Sequence, residues 1–422
     1  MDTAVILNTK QKLAWKKMVE GESVFVTGPG GVGKTLLMKK FASEFNSKKI
    51  IGVTSTTGIS ALIFGGTTFH SFTGIGLGTG SVESIVKNIK SRSYLKKRWK
   101  DLDTLIIDEI SMLSPQLFDK VEEVARIVRC SDEPFGGVQI IASGDFLQLP
   151  CVDTDKFTFD AKSWDRVITS SIYLTEIVRQ KDTEFQEVLN DIRVGNLSEK
   201  TRQILTEMNK KKPIEIEGIR PTLLYPVNAQ VDTLNDAELD IIAETGQEFR
   251  EYTRQIKVAS HVKNKKYALE RFSKNTIIPS ALQLAVGAQV MLIINLDIDA
   301  GLVNGSRGVV RRFCEDMPEV QFMNGQIRVL DYHLWEPEEN DRKIMKVIQV
   351  PLKIAYALTI HKSQGATLDY VRVDLSRIFE YGQAYVALSR ASNMEGLTIS
   401  GLDFDRIKAS PRAVEYYKSI TG

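Results

Sequence analysis

Gly28-Pro29-Gly30-Gly31-Val32-Gly33-Lys34-Thr35 lies between an apolar run, Val24-Phe25-Val26, and a helix-forming segment, Leu36 to Phe45. Strand, glycine-rich loop and helix in that order are what a phosphate-cradling P-loop requires. The glycines let the backbone wrap closely around phosphate oxygens and aim its N–H groups inward. The positive end of the helix dipole adds to the attraction, and Lys34 contributes a full charge. The Thr35 hydroxyl is suited to ligate Mg²⁺. All eight residues are therefore assigned to a nucleoside triphosphate site.

Outward from this loop, short β-forming runs alternate with helical segments over residues 1–176. The runs are Val24–Thr27, Ile50–Ser55, Thr104–Asp108, Gln139–Ser143 and Ile172–Leu174. Each is nearly continuous in apolar residues, as strands buried on both faces of a parallel sheet should be. A helix is predicted from Pro115 to Arg129, with its proline near the start. The fold class is α/β, with ligand expected at the carboxyl ends of the strands. Residues 177–422 carry a second alternating series, with Thr222–Tyr225, Gln289–Ile294, Val371–Asp374 and Leu397–Ile399. Between Gly308 and Leu330 the pattern changes to short strands and turns, and Asn324-Gly325 is a strong hairpin signal. A β-rich insertion within about 245–345 is predicted inside the second unit.

A chain of 422 residues can hold two or three cores, and 43% apolar with 26% charged residues is a globular composition. No apolar run approaches the ~18 residues that span a bilayer, so no membrane contact is expected. The N-terminus lacks the basic start and long apolar stretch of a signal peptide. Cys130, Cys151 and Cys314 fit neither a disulfide framework nor a zinc site, which points to an intracellular, reducing compartment. A net charge of +2 decides nothing about nucleic acid. One local run does more: Lys87, Lys90, Arg92, Lys96, Lys97, Arg98 and Lys100, with Tyr94 and Trp99 among them. Two readings fit it, a solvated helix face or a contact to a phosphate backbone with an aromatic stacked on a base. Lys263 to Lys274 is a weaker patch of the same kind.

Leu105-Ile106-Ile107-Asp108-Glu109 puts two carboxylates at the end of a buried strand. A triphosphatase needs one acid to hold Mg²⁺ and a second to orient or deprotonate the attacking water. Asp108 suits the first role and Glu109 the second. Such a pair also suits a helix N-terminal cap, but a P-loop upstream in the same sheet favours the catalytic reading. Gly144-Asp145-Phe146-Leu147-Gln148-Leu149-Pro150 taken alone is a turn after a strand.

Together these segments resemble the superfamily-one-B DNA helicases of the PIF (petite integration frequency) family, relatives of RecD-like and Dda-like helicases. The similarity runs from Gln11 to about Tyr417. Leu7 through Gln11 resembles the adenine-reading Q motif, and Gly28–Thr35 is motif I. The segments Thr54–Ala61 and Thr67–Phe72 are similar to motifs Ia and Ib, which bind single-stranded DNA. Asp108–Met112 and Gly144–Pro150 match motifs II and III. Leu174–Gln180 looks like motif IV, Ala357–Asp369 matches motif V, and Gln383–Ala391 matches motif VI. Gly301-Leu302-Val303-Asn304-Gly305-Ser306-Arg307-Gly308 resembles a further family segment. Two positions depart from the pattern: Cys151 replaces a proline and Ser60 an alanine, and neither is a catalytic group.

The resemblance implies two RecA-like parallel-sheet P-loop NTPase domains, the second interrupted by an SH3-like insertion. The basic run would form a small wedge around 73–100, braced by that insertion. ATP and Mg²⁺ are implied as cofactors, with Thr35 and Asp108 holding the metal. Lys34, Asp108, Glu109, Gln148, Arg179 and Arg390 are implied as catalytic, the two arginines reaching the γ-phosphate across an interdomain cleft. Singly, each arginine also fits a surface or salt-bridged position. Gln11, Gln364 and Gly365 are implied to contact nucleotide. Thr56, Thr67, His70, Phe72, Asn304, His361 and Lys362 are implied to contact nucleic acid; His361 alone also fits a core position. The implied activity is ATP-dependent 5′→3′ unwinding of DNA, in replication, repair, recombination or telomere maintenance. Its partners would be single-stranded DNA and single/double-strand junctions, with the chain monomeric or weakly self-associating. A protein-displacing translocase, a decayed DNA-binding module and an RNA helicase are the alternatives. The lack of long extensions leads us to expect a bare helicase core.

Overall fold

The computed structural model describes residues 7–56, 66–76, 78–151, 154–177, 182–215, 218–262, 264–297, 299–339, 342–364 and 368–421. They form two units, one of 1–181 with 409–422 and one of 182–408. The first is built on six parallel strands: β1 (Val24–Thr27), β2 (Ile51–Ser55), β3 (Thr67–Thr68), β4 (Thr104–Asp108), β5 (Gln139–Gly144) and β6 (Ser170–Tyr173). Their spatial order is β3-β2-β4-β5-β1-β6. β1, β4 and β5 are buried along their whole length because helices cover both faces, which is why they read as unbroken apolar runs. That order brings the carboxyl ends of β4, β5 and β1 side by side.

The helices follow local chemistry equally closely. Helix Lys34–Phe45 starts at Gly33, whose φ of 84° is left-handed backbone that glycine adopts without strain. Helix Pro115–Arg129 begins as predicted: Ser114 accepts a hydrogen bond from the Leu117 N–H, and Pro115 occupies the first turn. Phe118, Val121, Val124, Ala125 and Val128 line its buried face at helical spacing. Burial contributes roughly 1.5–3 kcal/mol for each large side chain.

In the second unit a parallel sheet runs in the order Ala357–Thr359, Thr222–Tyr225, Val371–Asp374, Leu397–Gly401. Gln289–Leu292, read in the sequence as part of this α/β series, instead belongs to an antiparallel sheet of the insertion. There it pairs with Arg307–Cys314 and Leu352–Ile354. An apolar run reports burial and not pairing direction, which explains the misreading. The predicted hairpin is present: Met317–Phe322 pairs with Ile327–Val329, and Gly325 turns at φ 80°.

Buried side-chain amides and guanidinium fasten the insertion to the parallel sheet. Gln289 donates to the Arg220 and Ala355 carbonyls at 2.9 and 3.0 Å and accepts the Arg220 N–H at 2.8 Å. Arg307, only 3% exposed, donates to the Arg220 carbonyl at 3.2 Å and to Thr222 Oγ1 at 3.3 Å. Burial pushes the Arg307 guanidinium down to about 10, with Asp369 and Tyr370 opposing that shift.

Two expectations about placement change. Residues 409–422 pack with the first unit, although the sequence reading assigned them to the second. Within the basic run, Leu95 and Trp99 face inward, and Trp99 Nε1 donates to the Thr73 carbonyl at 3.0 Å. At 1% exposed, Trp99 stacks on no base. Tyr94, Lys87, Lys90, Arg92, Lys96, Lys97 and Lys100 remain at the surface.

Candidate nucleotide and nucleic-acid sites

The phosphate loop is held from both sides by its own unit. Gly28 adopts φ 139°, and a Cβ there would meet the Leu174 carbonyl oxygen at 2.2 Å. On the other side Gln11 Nε2 donates to the Val32 carbonyl at 3.0 Å, and Gln11 Oε1 accepts the Asn8 N–H at 3.1 Å. The Gln11 amide is thus engaged in bracing the loop. Lys34 Nζ folds back to donate to the Gly28 and Pro29 carbonyls, at 2.7 and 2.9 Å.

β4 delivers the acids to this loop. Thr35 Oγ1 donates to Asp108 Oδ2 at 3.3 Å. Asp108 Oδ1 accepts the Glu109 N–H at 3.0 Å and the Ser143 hydroxyl from neighbouring β5. Burial raises the Asp108 carboxyl above its ordinary range; the bonds from Ser143 and Glu109 N–H, the Lys34 charge and Thr35 oppose it. A buried carboxylate beside a threonine hydroxyl and a lysine is a donor set suited to a divalent cation with phosphate. Among the described residues no cluster of three or more His, Cys, Asp or Glu side chains could hold a metal, so a cation here would rest on Asp108, Thr35 and the phosphates themselves.

That raised pKa carries a stability consequence. With the folded value above the unfolded one, the carboxyl penalises the fold at neutral pH; the penalty shrinks as pH falls below the folded value and is gone below the unfolded one. Asp108→Asn keeps the shape without the charge. We expect it to raise the melting temperature of the nucleotide-free protein at pH 7 by about 2–4 °C, with the gain shrinking toward pH 4. Calorimetry that finds Asp108→Asn less stable at pH 7 would refute this balance of burial against hydrogen bonds.

Glu109 sits at φ 54°, ψ 40°, left-handed backbone uncommon for a residue with a side chain. Thr56 secures it: the Thr56 hydroxyl donates to the Glu109 carbonyl at 2.7 Å, and the Thr56 N–H donates to the Asp108 carbonyl at 3.2 Å. A residue predicted for nucleic acid therefore touches the backbone of the acid pair. At the end of β5, Gln148 is 6% exposed; its N–H donates to the Asp145 carbonyl at 3.0 Å and its Nε2 lies 3.5 Å from Asp145 Oδ2. The structure thus gathers Gln11, Gly28–Thr35, Asp108, Glu109 and Gln148 at one edge of one sheet.

The remaining predicted residues are distributed as follows. Thr67 and His70 are half-buried beside β2. Phe72 packs over Gly52, where a Cβ would meet its ring at 2.3 Å, and under the Arg98 guanidinium at 4.8 Å. That ring is partly buried, with one face covered and the rest half-exposed. Asn304 lies in the turn before Arg307–Cys314, its N–H donating to Asn295 Oδ1 at 2.9 Å. His361 is partly exposed, with Nε2 3.5 Å from Glu380 Oε2, so the core reading is set aside. Gln364 is buried in the second unit. Arg390, 2% exposed, donates through Nε to the Val386 carbonyl at 2.9 Å and through Nη2 to Ser389 Oγ at 3.0 Å. Arg179, Gly365 and the Lys362 side chain lie outside the described residues.

Sequence reasoning missed Ser143, Asp145, Thr27 and Tyr417, whose hydroxyls and carboxylate join β1, β4 and β5 from within. Small polar residues inside apolar strands were the available signal. A cavity of about 160 Å³ in the second unit is lined by Arg220, Leu223, Glu238, Tyr356 and Arg372. These residues cluster at the amino ends of the strands, away from where such sheets bind ligands. Among the described residues no helix is long and apolar enough to cross a membrane.

Against known proteins, the sequence matches the PIF1-like helicase family over residues 6–203 and the "DNA helicase Pif1, 2B domain" over 268–313. It is 39% identical over 428 residues to the Xenopus laevis protein named ATP-dependent DNA helicase PIF1, covering 100% of this chain and 65% of that relative. It therefore spans just under two thirds of that protein's length. The crystal structure of Pif1 helicase from Candida albicans is similar at TM-score 0.81 and 36% identity, over 99% of this chain and 100% of that one. Pif1 from Bacteroides in complex with ADP-AlF3 and ssDNA is similar at TM-score 0.68 and 30% identity, over 99% of this chain and 98% of that one.

Proposed function

This chain belongs to the PIF1-like helicase family, and on that premise we propose that it is an ATP-driven motor that moves 5′→3′ on single-stranded DNA and unwinds duplex ahead of it. The observation that carries the reading is the convergence of Lys34, Thr35, Asp108 and Glu109 at one sheet edge. Lys34 leaves its loop carbonyls to meet the phosphates. Glu109 takes the proton of the attacking water, and Gln148 orients that water. Thr35 and Asp108 would hold Mg²⁺, which when bound neutralises charge on the phosphate oxygens. DNA contacts through Thr56, Thr67 and His70, and through Asn304 and His361, go mainly to phosphate and sugar, so sequence preference is weak. The surface lysines of helix Ser93–Asp101 belong to the same electrostatic footprint.

We place the activity in DNA replication, repair or recombination, inside the cell, with the chain working as a monomer or weak self-associate. The test is a labelled duplex with a 5′ or a 3′ single-stranded tail. Wild type should release strand from the 5′-tailed substrate only, with ATP, and Lys34→Ala should lose at least about 100-fold in rate. Release from the 3′-tailed substrate alone would reverse the polarity. DNA-stimulated hydrolysis without strand release would favour a protein-displacing translocase.

A further inference from the structure

The C-terminal helix Pro411–Thr421 places the Tyr417 hydroxyl, in a residue 6% exposed, where three chain segments meet. Tyr417 Oη lies 2.6 Å from Thr27 Oγ1, the residue immediately before the phosphate loop. It accepts the Phe146 N–H at 3.0 Å and lies 3.1 Å from Asp145 Oδ1, with the tyrosine as donor. Asp145 is fully buried and also accepts the Leu147 N–H at 3.1 Å. We propose that Tyr417 is a positioning residue of the ATPase site. Its hydroxyl locks the Gly144–Pro150 loop, and with it Gln148, to the strand end that carries the phosphate loop.

Thr27 and Tyr417 supply two hydroxyl protons for three contacts: the Gly144 carbonyl at 2.8 Å from Thr27 Oγ1, the Thr27–Tyr417 pair and Asp145. Two of the three possible arrangements keep a proton between the hydroxyl oxygens 2.6 Å apart; in one of these Thr27 donates to Tyr417 and Tyr417 donates to Asp145. In the other Thr27 donates to Gly144 and Tyr417 to Thr27, so Asp145 loses a donor. A carboxylate acceptor favours the first, because charge-assisted bonds are the stronger ones. The hydroxyl pair therefore has two settings, and a shift of the phosphate loop that moves Thr27 changes what holds the Gln148 loop. The C-terminal helix packs on the far side of this junction, where Tyr416 stacks on Phe159 at 4.1 Å.

The inference rests on the ATPase reading above, and wild type with Lys34→Ala as the inactive control tests that reading in the same experiment. Tyr417→Phe keeps the ring and removes the hydroxyl; Thr27→Val breaks the same relay from its other end. Oligo(dT)-stimulated hydrolysis is measured per nucleotide-binding site, with sites titrated by a fluescent ATP analogue. Both variants should lose about tenfold in kcat per site while KM for ATP stays within about twofold. A purely structural role would lower the melting temperature and the number of binding sites but leave kcat per site intact, and that result overturns the proposal. If wild type itself hydrolyses no ATP, the functional reading fails instead. Opposite ends of the relay are probed, so poor folding of one variant leaves the other decisive.

Discussion

Glu109→Gln should lower kcat for DNA-stimulated ATP hydrolysis by about 10²–10⁴ and leave nucleotide affinity within about threefold of wild type. On the role proposed for Glu109, the size is that of removing a positioned general base while keeping its shape. The backbone beneath it is already determined by its neighbours. Left-handed φ at Glu109 costs about 1–3 kcal/mol and persists because the Thr56 hydroxyl and β4 hold the peptide. Glutamine inherits that conformation, so the phosphate loop, Lys34 and Asp108 are undisturbed. Phosphate release under single-turnover conditions and analogue binding give the two numbers. Turnover close to wild type would remove Glu109 from the role of base.

Gly28→Ala should weaken nucleotide binding by two to three powers of ten. A side chain at φ 139° costs about 1–3 kcal/mol. The added Cβ would lie 2.2 Å from the Leu174 carbonyl oxygen. That carbonyl cannot retreat freely, since the Leu174 N–H donates to the Thr27 carbonyl at 2.8 Å. Overpacking of this kind adds about 1–3 kcal/mol, and the mid-range sum of about 4 kcal/mol, met again whenever the loop closes on phosphate, corresponds to at most about three powers of ten. Gly21 is the control: φ is 89° but nothing lies within 4 Å of its Cβ. Gly21→Ala should therefore leave nucleotide affinity unchanged. Equal affinities for Gly28→Ala and wild type in an analogue titration would refute the close-approach argument.

Most of the nucleotide site was legible because its chemistry is local. A glycine-rich loop, a lysine and paired acids sit next to apolar strands whose burial on two faces is written into their composition. Strand bounds such as Thr104–Asp108 and Thr222–Tyr225 agree to the residue for the same reason. What escaped is what depends on distant partners. Leu95 and Trp99 are four apart on one helix, which marked an apolar face, but the surrounding lysines drew the reading toward nucleic acid. Phe72 reads as a free ring, and only the fold shows that Gly52 and Arg98 pack against part of it. The direction of pairing at Gln289–Leu292 is set by strands up to the far end of the insertion. No local periodicity encodes that.

The return of residues 409–422 to the first unit has a consequence for biosynthesis. The second unit, roughly 230 residues, is threaded as a loop out of a body that its own ends must later close, at an entropic cost of about 5 kcal/mol. A ribosome delivers the first unit's sheet early, when Phe159 still lacks Tyr416 and Asp160 still lacks Arg412. The nascent polypeptide therefore waits, with an aromatic cluster open to water and to chaperones, until helix Pro411–Thr421 emerges to clasp it.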